Sequence, residues 1–263
     1  MTQFNSLIPL DQIEIDPKVL LAIKRNDLVP ILEDQYQLNH YADQLIQSQS
    51  VLLNGVDPKL NHQLSQIISQ LIEKLAQSSK VLKKRKFNGL QKWLGIDIEY
   101  DHGQLHYLNE LERLINEASF LSQRLQVEIQ KSQARVQQVL GLREQMAKYI
   151  VAAQEFLIEY PAFIKQQHPL DNFAERLSKK INTLQTLQAS NDIAITQMQL
   201  AQQLSFTLLD RFKEAQQVLI PAWQYHLKQS MQTYSVTELQ KLDLSREKLM
   251  NTLKKSLEKN RAE

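Results

Sequence analysis

Six histidines, His40, His62, His102, His106, His168 and His226, are the side chains here best suited to acid–base or metal chemistry. Only His102 and His106 have the i, i+4 spacing that puts two ligands on one helix face, and Asp101 and Glu110 lie close enough in sequence to complete a set. Gly103 falls between the two histidines and predicts a helix that starts after His102, which separates the pair. The reading is therefore against a metal site. There is no cysteine, which excludes disulfides, thiolate catalysis, Cys-ligated zinc and iron–sulfur clusters, and fits a reducing compartment. Neither GxGxxG nor GxxxxGK occurs, so no nucleotide cradle is encoded. With no recognisable catalytic site, no cofactor is expected and the chain reads as a non-enzyme.

A second chemistry is electrostatic. The formal net charge is only +2, yet Lys80, Lys83, Lys84, Arg85, Lys86 and Lys92 follow one another from 80 to 92 without an acid. Val81, Leu82, Phe87, Leu90, Trp93 and Leu94 interleave with them, a pattern that could lie on an anionic membrane or a phosphate backbone. The same residues also suit a solvated connection whose Trp93 and Leu94 dock on helices, and Asn88-Gly89 favours that reading by interrupting any helix. No strong nucleic-acid signal accompanies them.

The elements that must position these residues are helices. Few glycines and prolines, with abundant Gln, Leu, Lys and Glu, predict an all-α chain. From Leu105 to Glu159 the apolar residues recur as heptads, from Leu108, Leu111 and Ile115 to Ile150, Ala153 and Leu157. Only Ser122, Ser132 and Arg143 interrupt. A single helix of roughly 80 Å is expected there. It cannot bury its own seam and needs partner helices alongside.

Taken in order, Asp16-Pro17 signals a capped short helix to about Asn26, and a second helix is expected from about Ile31 to Leu53. Asp57-Pro58 repeats the cap and opens a third helix. Gly95 to Gly103 reads as an extended turn. Past the loop around Pro161 and Pro169, a seam from Phe173 through Leu177, Ile181, Leu184, Ile195, Met198, Leu208 and Phe212 to Leu219 is interrupted by Gln188, Asn191, Gln202 and Ser205. Polar seam residues of this kind fix register or meet water. At Ile220-Pro221 the helix either kinks or a new one begins. Three regions result: an N-terminal short-helix region at 1–79, a basic connector at 80–103 and a long-helix bundle at 104–263. The expected fold is an elongated antiparallel bundle of long coiled-coil-like helices with a small N-terminal helical region.

Several segments carry a resemblance. Phe173, Arg176-Leu177 and Leu184, then TQMQLAQ from Thr196 to Gln202, then IPAWQYH from Ile220 to His226, resemble the TelA family of toxic anion (tellurite) resistance proteins. That family shows an "F..RL..L" opening, a "PQIRLIQ"-like segment and an "IPLWKNQ"-like segment in this order. KYIVAAQEFL from Lys148 is similar to its "L..YI.A" stretch, so the resemblance runs roughly from Gly95 to Leu257. Thr196 stands where the family has proline, Gln199 where it has arginine and Gln224 where it has lysine, so two charges that could meet an anion are missing.

The resemblance implies a non-enzymatic protein of toxic-anion resistance or envelope stress that acts through a protein partner or the membrane surface. It implies an XpaC-like partner and points to Pro221, Trp223, Gln197 and Gln202 as partner-binding residues. Trp223 beside Pro221 also has a structural reading, as the filler of a kink. The membrane or polyanion surface would be Lys83, Lys84, Arg85, Lys86, Lys92 and Trp93. An architectural coiled-coil scaffold that self-associates in division or envelope organisation is the alternative. No basic leader and no run of about 20 apolar residues is present, so a cytoplasmic location is expected, with peripheral contact at the inner face of the membrane left open.

Overall fold

The structure, a computed structural model, describes residues 7–32, 34–53, 56–81, 96–163, 172–233 and 236–258. These are helical, with no strand among the described residues. The order is α1 (Pro17–Ile23), a π-turn (Lys24–Leu28), α2 (Gln35–Asn39), α3 (Asp43–Leu52), α4 (Pro58–Val81), α5 (Ile96–Phe163), α6 (Phe173–Glu214), a second π-turn (Ala215–Leu219), α7 (Ile220–Thr233) and α8 (Val236–Glu258), with short 3-10 turns at Leu10–Gln12 and Pro30–Leu32.

Local chemistry sets the helix starts. Asp16 accepts from the Lys18 amide at 2.9 Å and Asp57 from the Lys59 amide at 2.9 Å, each just before a proline whose fixed φ suits the first helical position. Asp34 caps α2 in the same way, accepting from Tyr36 and Gln37. The helix expected from Ile31 to Leu53 is broken in two. Ala42 between α2 and α3 has φ 62°, a left-handed turn that costs a Cβ-bearing residue about 1–2 kcal/mol. Packing against the same core offsets that cost: Leu38 and Tyr41 before the turn are buried, and Leu45 and Ile46 after it pack alongside.

Gly95 lies outside the described residues, and the rest of the extended turn expected to Gly103 is helix instead, because α5 begins at Ile96 and has 68 residues. A lone strand would leave its backbone groups unpaired, whereas a helix satisfies them internally. Gly103 imposes no break, and a Cβ placed there would meet nothing within 4 Å. Pro161 sits inside the last turn of α5 rather than ending it.

By its contacts the chain forms two compact units, one of Met1–Gly55 with Lys131–Ala201, the other of Val56–Gln130 with Gln202–Glu263. The division at 79 and 103 read from composition follows the chain, whereas these units draw on stretches far apart in it. In the first unit Leu20, Ile23, Leu28 and Ile31 pack with Met146, Ile150, Phe156, Leu177 and Ile181. The second packs α4 through Leu64, Ile68 and Leu71 with Leu111, Ala118 and Leu125 of α5, Phe212 of α6, Trp223 of α7, and Leu249 and Leu253 of α8.

Candidate functional site

Three polar interruptions of the two long seams, Arg143, Gln188 and Asn191, meet inside the first unit. Arg143 on α5 is 4% exposed and grips Asp192 on α6 with two hydrogen bonds, from Nε to Oδ1 and from Nη2 to Oδ2, both 2.8 Å. Its Nη2 also donates to the Ile8 carbonyl at 2.8 Å. Gln188, one turn before Asp192, donates to its Oδ1 at 2.7 Å and accepts from Gln49 of α3 at 3.0 Å; Asn191 donates to Gln49 at 2.8 Å. A bidentate guanidinium–carboxylate pair, braced here by a further hydrogen bond from Gln188, is the arrangement under which a buried guanidinium is tolerated. Arg143 is thus committed to Asp192, and the cluster locks three helices in register rather than offering a free cation to an anion.

A second polar group surrounds the first π-turn. Lys24 binds both Glu155 at 2.6 Å and Glu159 at 2.8 Å, one turn apart on α5. Burial opposes the Lys24 charge, but the two carboxylates outweigh it and hold its ammonium above the usual lysine range. Tyr41 donates to the Tyr149 carbonyl at 2.8 Å, and the Tyr149 hydroxyl reaches Asp27 at 3.3 Å. Burial, then the neighbouring Asp27 carboxylate, pushes the Tyr149 phenol up.

The second unit holds the proline–tryptophan pair. Sequence left open a kink or a new helix at Pro221, and the π-turn Ala215–Leu219 is how the chain passes it. The Ile220 amide donates five residues back, to the Ala215 carbonyl, and this wider turn relieves the crowding between the Pro221 ring and the Gln217 carbonyl. Trp223 then enters the core, 1% exposed. Its Nε1 is buried without a hydrogen-bond partner, as are Asn61 Oδ1 and His226 Nδ1. Gln216 ties the turn to α5 through Ser119 at 2.9 Å. Arg211 donates to the Lys255 carbonyl near the end of α8, where carbonyls lack helical partners.

The residues singled out in the sequence do not converge. Gln197 is exposed on α6 in the first unit; Gln202, half-buried, belongs to the second unit with the exposed Pro221 and the buried Trp223. Lys83, Lys84, Arg85, Lys86, Lys92 and Trp93 lie outside the described residues. His102 is inside α5, contrary to the expected helix start, so it and His106 share one exposed face. His106 Nε2 is 3.8 Å from Glu110, whose carboxylate is engaged by Lys74, and that hydrogen bond holds it below the usual carboxylate range. Among the described residues no three His, Cys, Asp or Glu side chains group as a metal site.

Sequence reasoning missed Asp192 and Gln49, whose only signal was the i, i+4 spacing of Gln188 and Asp192. It also missed the outward face of the second π-turn and α7. There Val218 and Tyr225 are each 59% exposed, on the side of the helix opposite Trp223.

Over 222 residues the chain is 27% identical to Protein KlaA of Escherichia coli, a match covering 82% of this chain and 85% of the relative. No family model and no solved structure matches it. The match runs along most of both chains, and KlaA, a member of the TelA/KlaA tellurite resistance family, is consistent with the TelA resemblance of the segments from Phe173 to His226.

Proposed function

We propose that this protein contributes to tellurite or other toxic-anion resistance, or to envelope stress, without catalysing a reaction, by binding another protein or the inner face of the membrane. The observation that carries this reading is the similarity to KlaA along most of both chains. The state of the polar groups supports a binding role. Arg143, the buried cation that could have met an oxyanion, is engaged by Asp192 and the Ile8 carbonyl. The family resemblance suggests an XpaC-like partner, and α7 is the element we assign to it, with Pro221 and its exposed neighbours making contact while Trp223 holds the helix from behind. The basic run from Lys83 to Lys92 with Trp93 is the candidate membrane surface. Among the described residues no helix is long and apolar enough to cross a membrane.

Deletion of the gene, scored by growth on tellurite and on wall-active antibiotics, tests the resistance role; unaltered tolerance to both overturns it. Reversal of Lys83, Lys84, Arg85 and Lys86 to glutamate should abolish salt-sensitive retention on anionic vesicles. Wild-type protein that shows no such retention removes the membrane arm. The second reading, an architectural coiled-coil scaffold, draws on two helices of 68 and 42 residues. It predicts a division or envelope defect with normal tellurite tolerance.

A further inference from the structure

Along the helix that runs through the second π-turn, two stripes face opposite ways. Phe212, Ala215, Leu219, Trp223 and Leu227 are buried. Glu214, Val218, Pro221, Ala222, Tyr225 and Lys228 are all exposed, with the uncharged Gln217 and Gln224 exposed beside them. The exposed set is apolar in its middle and recurs at three- and four-residue steps, the pattern by which one helix docks on another. Its ends are charged, and their placement is symmetric: Glu214 lies seven residues before Pro221 and Lys228 seven residues after it. Both charges are without an ion pair among the described residues. Some surface charges elsewhere pair along their own helix, as Arg113 does with Glu117, Glu175 with Lys179 and Glu238 with Lys241.

An exposed apolar stripe bounded at equal distances by one unpaired acid and one unpaired base is complementary to itself under a two-fold rotation. We infer that this face binds a second copy of the chain, the two helices antiparallel and crossing at Pro221, so that Glu214 of each copy meets Lys228 of the other. The same rotation sets Val218 of each copy near Tyr225 of its mate, which covers the most exposed apolar groups of the stripe. An isologous contact of this kind closes on itself and yields a dimer, not a filament. About four turns of helix bury less than the roughly 1,200 Å² of a standard stable interface. The dimer is therefore weak and concentration-dependent, with two symmetric charge pairs setting its register. This inference goes beyond the resistance reading and does not rest on it; the second copy and the partner proposed above would compete for the one face.

The experiment is sedimentation velocity of the full-length chain over a concentration series through the micromolar range, with circular dichroism confirming the fold of each variant. Wild type should show a reversible monomer–dimer equilibrium that weakens as salt is raised. Glu214→Lys alone sets lysine against lysine and Lys228→Glu alone sets glutamate against glutamate, so each should weaken the dimer by about tenfold. The double variant Glu214→Lys/Lys228→Glu should restore wild-type association. Val218→Glu and Tyr225→Glu, at positions more than half exposed, should abolish it with helix content unchanged. A protein that stays monomeric across the series overturns the inference. So does a dimer indifferent to these substitutions, or singles that weaken it while the swap fails to restore it.

Discussion

Arg143 shows what a charged residue in an apolar seam is for in this protein. It joins α5 to α6 through Asp192 and draws in the Ile8 carbonyl, while Gln188 and Gln49 extend the network to α3. Removing Asp192 leaves the Arg143 guanidinium buried and unmatched, so Asp192→Ala should destabilise the protein by about 3–5 kcal/mol in urea unfolding. Replacing Arg143 and Asp192 together with leucine-sized apolar residues should cost much less than the single change. Trp223 makes a different case. Truncation to alanine empties a fully packed site and should cost about 3–5 kcal/mol. Trp223→Phe should cost only about 1 kcal/mol, because the indole N–H it removes is buried with nothing to donate to. Both follow from the unfolding midpoint and slope. A third residue-scale effect depends on pH. Burial pushes the Tyr107 phenol up to about 12, and its hydroxyl donates to the Lys74 carbonyl at 2.6 Å. Burial also raises Tyr41 and Tyr149. A phenol whose folded pKa is raised stabilises the fold fully below its unfolded value near 10, and that contribution is lost as pH climbs towards the folded value. Unfolding in alkali should therefore set in above about pH 10, and Tyr107→Phe should blunt that dependence.

At the scale of elements, both π-turns stand at the same distance from a proline. Lys24–Leu28 ends two residues before Pro30 and Ala215–Leu219 two before Pro221. In each, the residue just before proline donates five back, Val29 to Lys24 at 2.9 Å and Ile220 to Ala215. If the wider turn exists to seat the proline ring, Pro221→Ala should be accepted with a change in stability within about 0.5 kcal/mol. A larger loss would mean the turn is fixed by packing around Leu219 and Trp223 instead. Much at this scale was readable in the sequence. Asp16-Pro17 and Asp57-Pro58 state a helix start twice over, once as a cap acceptor and once as a fixed φ. The heptads of α5 and the seam of α6 named the buried residues, including the polar ones at Ser122, Arg143, Gln188 and Ser205. What the sequence misjudged depended on distant partners. Gly103 has the composition of a break, yet nothing crowds it. Ala42 has no composition of a turn, but tertiary packing puts it at φ 62°. Trp223 and Pro221 were legible as a pair, whereas the exposed stripe behind them emerges only when burial separates the two faces of one helix.

At the scale of the whole molecule, two compact units each have their own core, and α5 and α6 contribute to both. The polar network of Arg143 belongs to one unit and the exposed α7 face to the other. That face connects fold to proposed function: the sequence matches KlaA along most of its length, and α7 carries the IPAWQYH segment of the family resemblance, with Tyr225 of α7 and Val218 of the π-turn before it facing outward. The central claim is that resistance depends on what this face binds. The most direct measurement is growth on tellurite of a deletion strain complemented in turn with wild type, Val218→Glu and Tyr225→Glu, each confirmed by immunoblot at equal abundance. The account predicts that deletion lowers tolerance, that wild type restores it and that neither variant does. Full restoration by both variants would contradict it, since the protein would then confer resistance with its outward α7 face disabled.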